Sequence, residues 1–454
     1  MKTLLERAKG SLLDIITDYN APVGTVTLLS PHTRQIRSLN FAHNYWADIR
    51  WFSQVNSGPL PLLHTLKIDA VMEFRWARLP YPMTPRSLPL FNNAVNLKRL
   101  ILQSQEWPFS NHFVFPNITT FELSTMPPGE VQASELLNFL EASPMLQTVY
   151  MRIITGILLE DVPQRKVVIL PNVQTFSLVV DDGAPGYELA AHISCPSARR
   201  TTLTHEKNAE DMTTDRDISI FPTVASWNRI VRQYTRSPVE VVTLEINPPQ
   251  DLTIACTLTF QSSDTTVTRL CLEVSGNIDD EIEFQMSLAE MALEVFYQAS
   301  RAVRDHPLLS NIKRLHIRYG VFISEPIQLR SMANEVGRLF GFVGPLDELI
   351  LHGLDLRSYL TPFLDLPEFK DMDQSIVFRA IKWLTISHPL MLDHEEECMV
   401  TLVELAKSQH ALGVPFERLT VFGEGLPVEM AEMLEPWVGV ADCHEERCTR
   451  AHYE

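Results

Sequence analysis

The sequence predicts an α/β fold drawn out as an irregular strand–helix solenoid, with parallel strands on a concave face and helices on a convex one. Three observations predict it. A short apolar block, anchored at its first, fourth and sixth positions, recurs along nearly the whole chain. Stretches with helical periodicity stand between the blocks. Proline is frequent (30 residues) and glycine scarce (17), which favours many short proline-stopped elements over glycine-rich phosphate loops. An ordinary doubly wound α/β fold is the competing arrangement, because any α/β chain carries a few such triplets.

The blocks begin at Ile36-Leu39-Phe41, Leu63-Leu66-Ile68, Leu97-Leu100-Leu102 and Ile118-Phe121-Leu123. Leu146-Val149-Met151, Val173-Phe176-Leu178 and a weaker Ala198-Thr201-Leu203 follow. The pattern resumes at Val267-Leu270-Leu272, Ile312-Leu315-Ile317, Leu346-Leu349-Leu351, Ile381-Leu384-Ile386 and Phe416-Leu419-Val421. A thirteenth block, Val239-Val242-Leu244, fills the long gap. Side chains alternate along a strand, so the second and third anchors share a face, while the first turns in from the preceding loop. Pro116-Asn117, Pro171-Asn172, Pro196-Ser197 and Asn311 suit a turn leading into a strand.

Helical faces are expected between blocks. One carries Leu288, Ala292, Val295, Phe296, Ala299 and Val303; a second carries Met332, Val336, Leu339 and Phe340; a third carries Trp227, Ile230, Val231 and Tyr234. Shorter helices are expected over 135–140 and 401–406. Each unit thus reads strand, loop, helix, loop. The spacing wanders from roughly 21 to 45 residues, and the fixed Asn or Cys of strict repeats is missing after the third anchor, so the array is leucine-rich-repeat-like and irregular. The expected organisation is a lead-in over 1–35, the solenoid over 36–438 and a tail over 439–454.

Composition excludes several classes. Of 454 residues, 45% are hydrophobic and 21% charged, the balance of a folded chain. The net charge of −18 argues against a nucleic-acid partner, since phosphate would be repelled. No apolar run is long enough to span a bilayer, and the first residues lack a secretory signal, so no membrane association is expected. Six cysteines do not make a disulfide framework, and a cytoplasmic or nuclear setting is expected.

Several segments resemble the leucine-rich-repeat portion of fungal F-box-like proteins, especially the expanded set of mushroom-forming fungi. They are the run from Leu5 to Ile15, Pro171 to Phe176, Cys195 to Arg200, Phe416 to Val421 and Pro436-Trp437-Val438. The resemblance implies the substrate-recognition region of a cullin–RING ubiquitin ligase receptor. Such proteins usually begin with an F-box opening on a Leu-Pro-x-Glu-like motif, and residues 1–35 do not read as one. A cullin–RING adaptor is therefore an expected partner only if an F-box lies upstream.

In a concave sheet the residues between anchors face out. Basic residues fall there at Lys67, Arg99, Arg152, Arg200, Arg269, Arg314, Arg318 and Arg418, against acidic Asp69, Glu122, Glu273 and Glu348. Tyr150, His316, His352, Trp383 and Phe422 add amphipathic contact area of the kind enriched in interfaces. The expected partner-binding face comprises Lys67, Arg99, Tyr150, Arg152, Arg269, Arg314, His316, Arg318, His352, Trp383 and Arg418, and the expected partner is a protein, an acidic surface or peptide. The bland reading is that the arginines serve packing between repeats, their stems covering apolar neighbours.

Catalytic and metal motifs are weak, and neither a catalytic residue nor a cofactor is expected. Cys443, Cys448 and His452 have loosely zinc-like spacing, but no second Cys/His pair stands near. His394-Glu395-Glu396-Glu397-Cys398 lacks the second histidine of a zinc hydrolase. Gly423-Glu424-Gly425 reads as a turn, and no Gly-x-Ser-x-Gly elbow exists. Asn117-Ile118-Thr119 matches a glycosylation sequon, but Ile118 reads as core. Residues 206–217 read as a polar loop. His316 with His352 is the one pair with enzyme-like potential. The expected function is a non-catalytic protein-binding module; a free-standing scaffold and an α/β enzyme are the alternatives.

Overall fold

The computed structural model describes residues 7–8, 10–17, 29–42, 60–70, 94–104, 115–125, 130–154, 156–163, 166–181, 183–208, 233–234, 238–250, 253–262, 266–275, 312–319, 346–352, 381–387, 395–411, 413–423 and 429–445. They are mixed α/β, rich in parallel sheet, with few helices. The chain divides into two compact units, Met1–Glu206 with Asp217–Tyr234, and Lys207–Arg216 with Thr235–Glu454.

The first unit runs through β1 (Leu13–Thr17), a 3-10 helix (Ser30–Gln35), β2 (Ile36–Ala42), β3 (Thr65–Ala70), β4 (Arg99–Ser104) and β5 (Thr120–Thr125). It continues with β6 (Glu130–Gln132), α1 (Ala133–Glu141), β7 (Thr148–Ile153), β8 (Gly156–Leu158), β9 (Val168–Ile169), β10 (Thr175–Val180), α2 (Gly183–Ala191), β11 (Ile193–Ser194) and β12 (Arg200–Asn208). The main strands lie in the order β1-β2-β3-β4-β5-β7-β10-β12, all parallel. Two small sheets, β6–β8 and β9–β11, stand apart.

The second unit holds β13 (Val239–Gln250), β14 (Thr253–Ser262), β15 (Val267–Ser275), β16 (Arg314–Tyr319), β17 (Glu348–His352), β18 (Trp383–Ser387), α3 (Glu395–Ala411), β19 (Arg418–Gly423), α4 (Glu429–Leu434) and β20 (Ala441–Glu445). Its strands are ordered β15-β14-β13-β16-β17-β18-β19-β20.

Each of the thirteen apolar blocks lies on a strand, and the anchors stack in register. Leu39, Leu66, Leu100, Phe121, Val149, Phe176 and Thr201 are successive partners. In the second unit Val242, Leu315, Leu349, Leu384 and Leu419 repeat the arrangement. These stacked anchors are buried. Parallel strands lack a tight connecting turn to fix their register, so something else must fix it.

In the first unit a turn ahead of β3, β4, β5, β7, β10 and β12 does so. Six four-residue turns close with hydrogen bonds of 3.0–3.4 Å, from Leu63, Leu97, Ile118, Leu146, Val173 and Ala198 N–H back to Leu60, Ala94, Phe115, Ser143, Leu170 and Cys195 carbonyls. All six carbonyl-bearing residues are buried, so each block has an additional inward anchor three residues before its first. The residue after that anchor is Pro61, Pro116, Pro144, Pro171 or Pro196 in five of the turns, and proline presets the backbone angle a turn needs there. In four of the six turns the next residue ties neighbouring turns together. Asn96 Nδ2 donates to Pro61 O (2.5 Å), Asn117 to Val95 O (2.8 Å), Asn172 to Pro144 O (2.9 Å) and Ser197 Oγ to Pro171 O (2.6 Å). The main chain then continues the ladder, with paired N–H groups such as Thr119 and Thr120 sharing the Lys98 carbonyl.

Helix α1 covers the anchor face. Its Phe139 ring lies 4.8 Å from Phe121 and 6.2 Å from Phe115, and Leu136, Leu137 and Leu140 are fully buried. Helix α2 approaches β10 so closely that a Cβ on Gly186 would overlap the Val180 side chain. Tyr234, expected on a helical face, is buried against Phe176 at 5.6 Å and donates its hydroxyl to Ala190 O. In the second unit α3 follows β18, as expected for 401–406, and buries Leu402, Val403, Leu405 and Ala406. Gly413, at φ +75°, takes the left-handed conformation just beyond it.

Three departures from the sequence reading are plain. First, the strands are not uniformly parallel: β13, β14 and β15 form an antiparallel meander. Only two residues join β13 to β14, and only four join β14 to β15, too few for a parallel crossover. Second, residues 154–170, between β7 and β10, hold β8, β9 and turns among the described positions, with no helix there. Third, β1 falls in the expected lead-in and β20 in the expected tail, each paired in parallel with its neighbour. The faces predicted around Leu288 and Met332, and Trp227, Ile230 and Val231, lie outside the described residues.

The turn ladder makes a direct prediction. Asn117→Ala or Asn172→Ala should lower the unfolding free energy by about 1 kcal/mol each, the usual net worth of one hydrogen bond. The serine variants should cost less, since Ser197 fills the same place. Urea melts compared at equal slope would check this, and unchanged midpoints for the alanine variants would remove the ladder from the account.

Candidate binding face

Between inward anchors, the alternate residues of each strand point to the other face. Val149 and Met151 are buried while Tyr150 is 40% exposed. The expected contact residues are all on this face, but they divide between the two units. Lys67, Arg99, Tyr150 and Arg152 belong to the first; Arg269, Arg314, His316, Arg318, His352, Trp383 and Arg418 belong to the second. The structure thus brings them together as two groups.

In the first unit the cations are largely engaged. Arg99 donates to Glu122 Oε1 from Nε (3.2 Å) and Nη2 (2.6 Å), across the β4–β5 step. Arg152 donates to Glu206 Oε2 from Nε (3.1 Å) and Nη2 (2.8 Å). The register places Val179 between Arg152 and Thr204, so this pair bridges over a whole strand. Such partly exposed pairs contribute at most about 1 kcal/mol each, but they take up the charge that composition assigned to a partner. Lys67 is half-buried, in register between Asn40 and Ile101. Tyr150 lies between Glu122 and Ser177.

In the second unit one outward row runs Arg314, Glu348, Trp383, Arg418 on β16 to β19, in strict register. Arg314 Nε is 3.3 Å from Glu348 and Arg418 Nε is 3.6 Å from Asp442, with both arginine side chains more than half exposed. Trp383 is 40% exposed between Glu348 and Arg418. Arg269 is exposed opposite Thr259 on β15, in the antiparallel part of the sheet.

His316 and His352 are both half-buried, but they are not direct cross-strand partners. His316 faces Ile350, and His352 faces Arg318. His316 Nε2 is buried without a hydrogen-bond partner among the described residues. Burial, then Arg318 and Arg314, push its pKa below the usual histidine value of 6.5. Its surroundings thus disfavour the charged form of this histidine.

A second charged row was legible but missed. It lies one residue after the first anchor: Glu240, Lys313, Asp347, Lys382 and Glu417 alternate in sign from block to block. Lys313 Nζ lies 3.4 Å from Glu240, and Lys382 Nζ lies 2.9 Å from Asp347. The hydrogen bond and charge of Asp347 raise the Lys382 pKa. Main-chain N–H groups follow the same path, from Lys313 to Glu240 O and from Asp347 to Lys313 O. This row does in the second unit what the Asn side chains do in the first.

The weaker motifs find ordinary places. The Asn117 side chain of the sequon is spent on the turn ladder, and Ile118 is fully buried. Cys443 pairs in register with Val421 on β19, and burial raises its thiol pKa; Cys448 and His452 lie outside the described residues. So do His394, Glu424, Gly425 and residues 209–217. Among the described residues no group of His, Cys, Asp and Glu side chains is placed to hold a metal ion, and no helix is long and apolar enough to cross a membrane. No family model matches the chain, and no curated protein matches it.

The depressed His316 pKa sets a pH dependence. The unfolded chain takes up this proton near pH 6.5 and the folded chain only at lower pH, so stability attributable to His316 is full above 6.5 and falls as the pH drops. His316→Gln should lose less stability than the parent between pH 7.5 and 5.5. Denaturant midpoints at the two pH values would test this; equal losses would mean that His316 is not a source.

Proposed function

We propose that the chain is a non-catalytic protein-binding module, an irregular leucine-rich-repeat-like solenoid whose outward strand faces present side chains to a partner. The observation that carries the reading is the row Arg314, Glu348, Trp383, Arg418. A tryptophan 40% exposed in the middle of a sheet face adds little to the fold that a smaller side chain would not. Tryptophan and arginine are the residues that most often dominate binding energy at protein interfaces. Stacked strands hold them at fixed spacing, so little ordering entropy is lost on association. The resemblance to fungal F-box-like proteins extends the proposal to the substrate-recognition region of a ubiquitin ligase receptor, in the cytoplasm or nucleus. A free-standing scaffold is the second form of the same reading.

Two measurements test it. Replacing Arg314, Arg318 and Trp383 together by alanine should abolish capture of partners that the parent chain takes from a fungal extract, while leaving the melting midpoint nearly unchanged. Captured proteins that survive the triple change would move the interface elsewhere. Adaptor and cullin subunits recovered only with a version extended upstream to an F-box would support the ligase form; their absence from both would leave the scaffold.

A further inference from the structure

Resting on the reading of this chain as a binding module, we infer that the β16–β19 face takes an extended acidic peptide, with two carboxylates four residues apart and an apolar residue between them. The geometry comes from the register. Arg314 and Arg418 are the ends of one cross-strand row and lie three strand steps apart. At about 4.8 Å per step they are separated by about 14 Å. An extended peptide advances about 3.4 Å per residue, so residues i and i+4 span the same distance. Those two residues and i+2 project from the same side of the peptide. A chain laid along the row thus sets i over Arg314, i+4 over Arg418 and i+2 between Glu348 and Trp383, within reach of the indole.

The chemistry of the row selects the peptide. Each guanidinium contacts a carboxylate of this protein through Nε, and its terminal nitrogens carry further donors in the planar fork that suits carboxylates. The Trp383 indole offers an apolar surface beside them. Arg318 stands two residues along β16 on the same face, in register with Glu245 on β13. A polyphosphate backbone fits poorly, because it carries charge at every unit and Glu348 stands in the row between the two arginines, where the peptide carries none. Glu348 has a defined part in the proposal: it occupies Arg314 until a peptide carboxylate takes its place. Removing its charge therefore favours the peptide.

The test uses the full chain and a labelled nine-residue probe, with Glu, Leu and Glu at its third, fifth and seventh positions in a Gly/Ser background. Fluorescence anisotropy should show saturable binding that weakens with salt. R418Q or R314Q should weaken it at least tenfold, W383A likewise, and E348Q should tighten it several-fold. A probe with the two Glu residues only two apart should bind at least tenfold worse. Circular dichroism melts of each variant separate lost binding from lost folding. Absence of binding, indifference to the Glu spacing, or weakening by E348Q would each overturn the inference. So would preference for a single-stranded oligonucleotide of equal charge. Extract capture that depends on Trp383 while the probe fails would leave the binding-module reading standing and sink only the peptide; capture indifferent to the triple change would sink the reading itself.

Discussion

The turn ahead of β3, β4, β5, β7, β10 and β12 is the interaction on which the rest of the first unit depends. A parallel sheet has no hairpin to hold its strands in step, and a slip of one residue would put every inward anchor on the wrong face. Here the slip is blocked before the strand begins. A buried anchor three residues ahead pins the turn, proline narrows its backbone choices, and the next side chain donates to a carbonyl of the preceding turn. Register, burial of the anchors and orientation of the outward residues all follow from that fixed starting point. In the second unit the alternating charges from Glu240 to Glu417 and the carbonyl ladder beneath them occupy the corresponding place.

This division of labour accounts for the irregular spacing. With the start of a strand fixed locally, the segment returning to the next turn is free to vary in length. Between β5 and β7 the return includes β6 and α1, between β7 and β10 it includes β8 and β9, and between β10 and β12 it includes α2 and β11. The cost of lengthening such a segment grows only slowly, by about 0.6 kcal/mol per doubling of a flexible loop. Close packing still restrains individual positions, as at Gly186 beneath Val180 and at Gly439, where a Cβ would sit 2.6 Å from the Glu417 carbonyl oxygen.

The strands were legible because their pattern is doubly redundant, in the alternation of the anchors and in recurrence from block to block. Thirteen blocks marked thirteen strands. Strand β14 escaped because it belongs to no repeat, although Cys256, Leu258 and Phe260 alternate within a run rich in threonine. With β14 unseen, the antiparallel meander was unseen too, and the interval from Val239 to Val267 passed for an ordinary repeat. Strands β1 and β20 escaped because an edge strand needs only one neighbour and so carries a shorter signal. The buried residue that opens each turn was overlooked because it varies from Leu60 through Ala94, Phe115, Ser143 and Leu170 to Cys195, a set with common burial and no common chemistry.

The outward face shows a different kind of limit. Counting residue types placed an excess of arginine there, and an excess of charge suggests a partner. Charge, however, is a property of neighbours as well as of residues. Arg99 and Arg152 each find a glutamate across or beyond an adjacent strand, and those glutamates lie 23 and 54 residues away in sequence. Nothing local to either arginine announces that. The tryptophan at 383 differs in kind, because an indole on a sheet face has no charge for a neighbour to cancel; what stays exposed is apolar area, which water disfavours and a partner would cover. The functional weight of the face therefore moves from the number of its cations to the exposed ring between Glu348 and Arg418, in a row whose two half-exposed arginines are themselves ion-paired to Glu348 and Asp442. That row exists only because the register of four parallel strands, fixed before each begins, brings residues 314, 348, 383 and 418 into line.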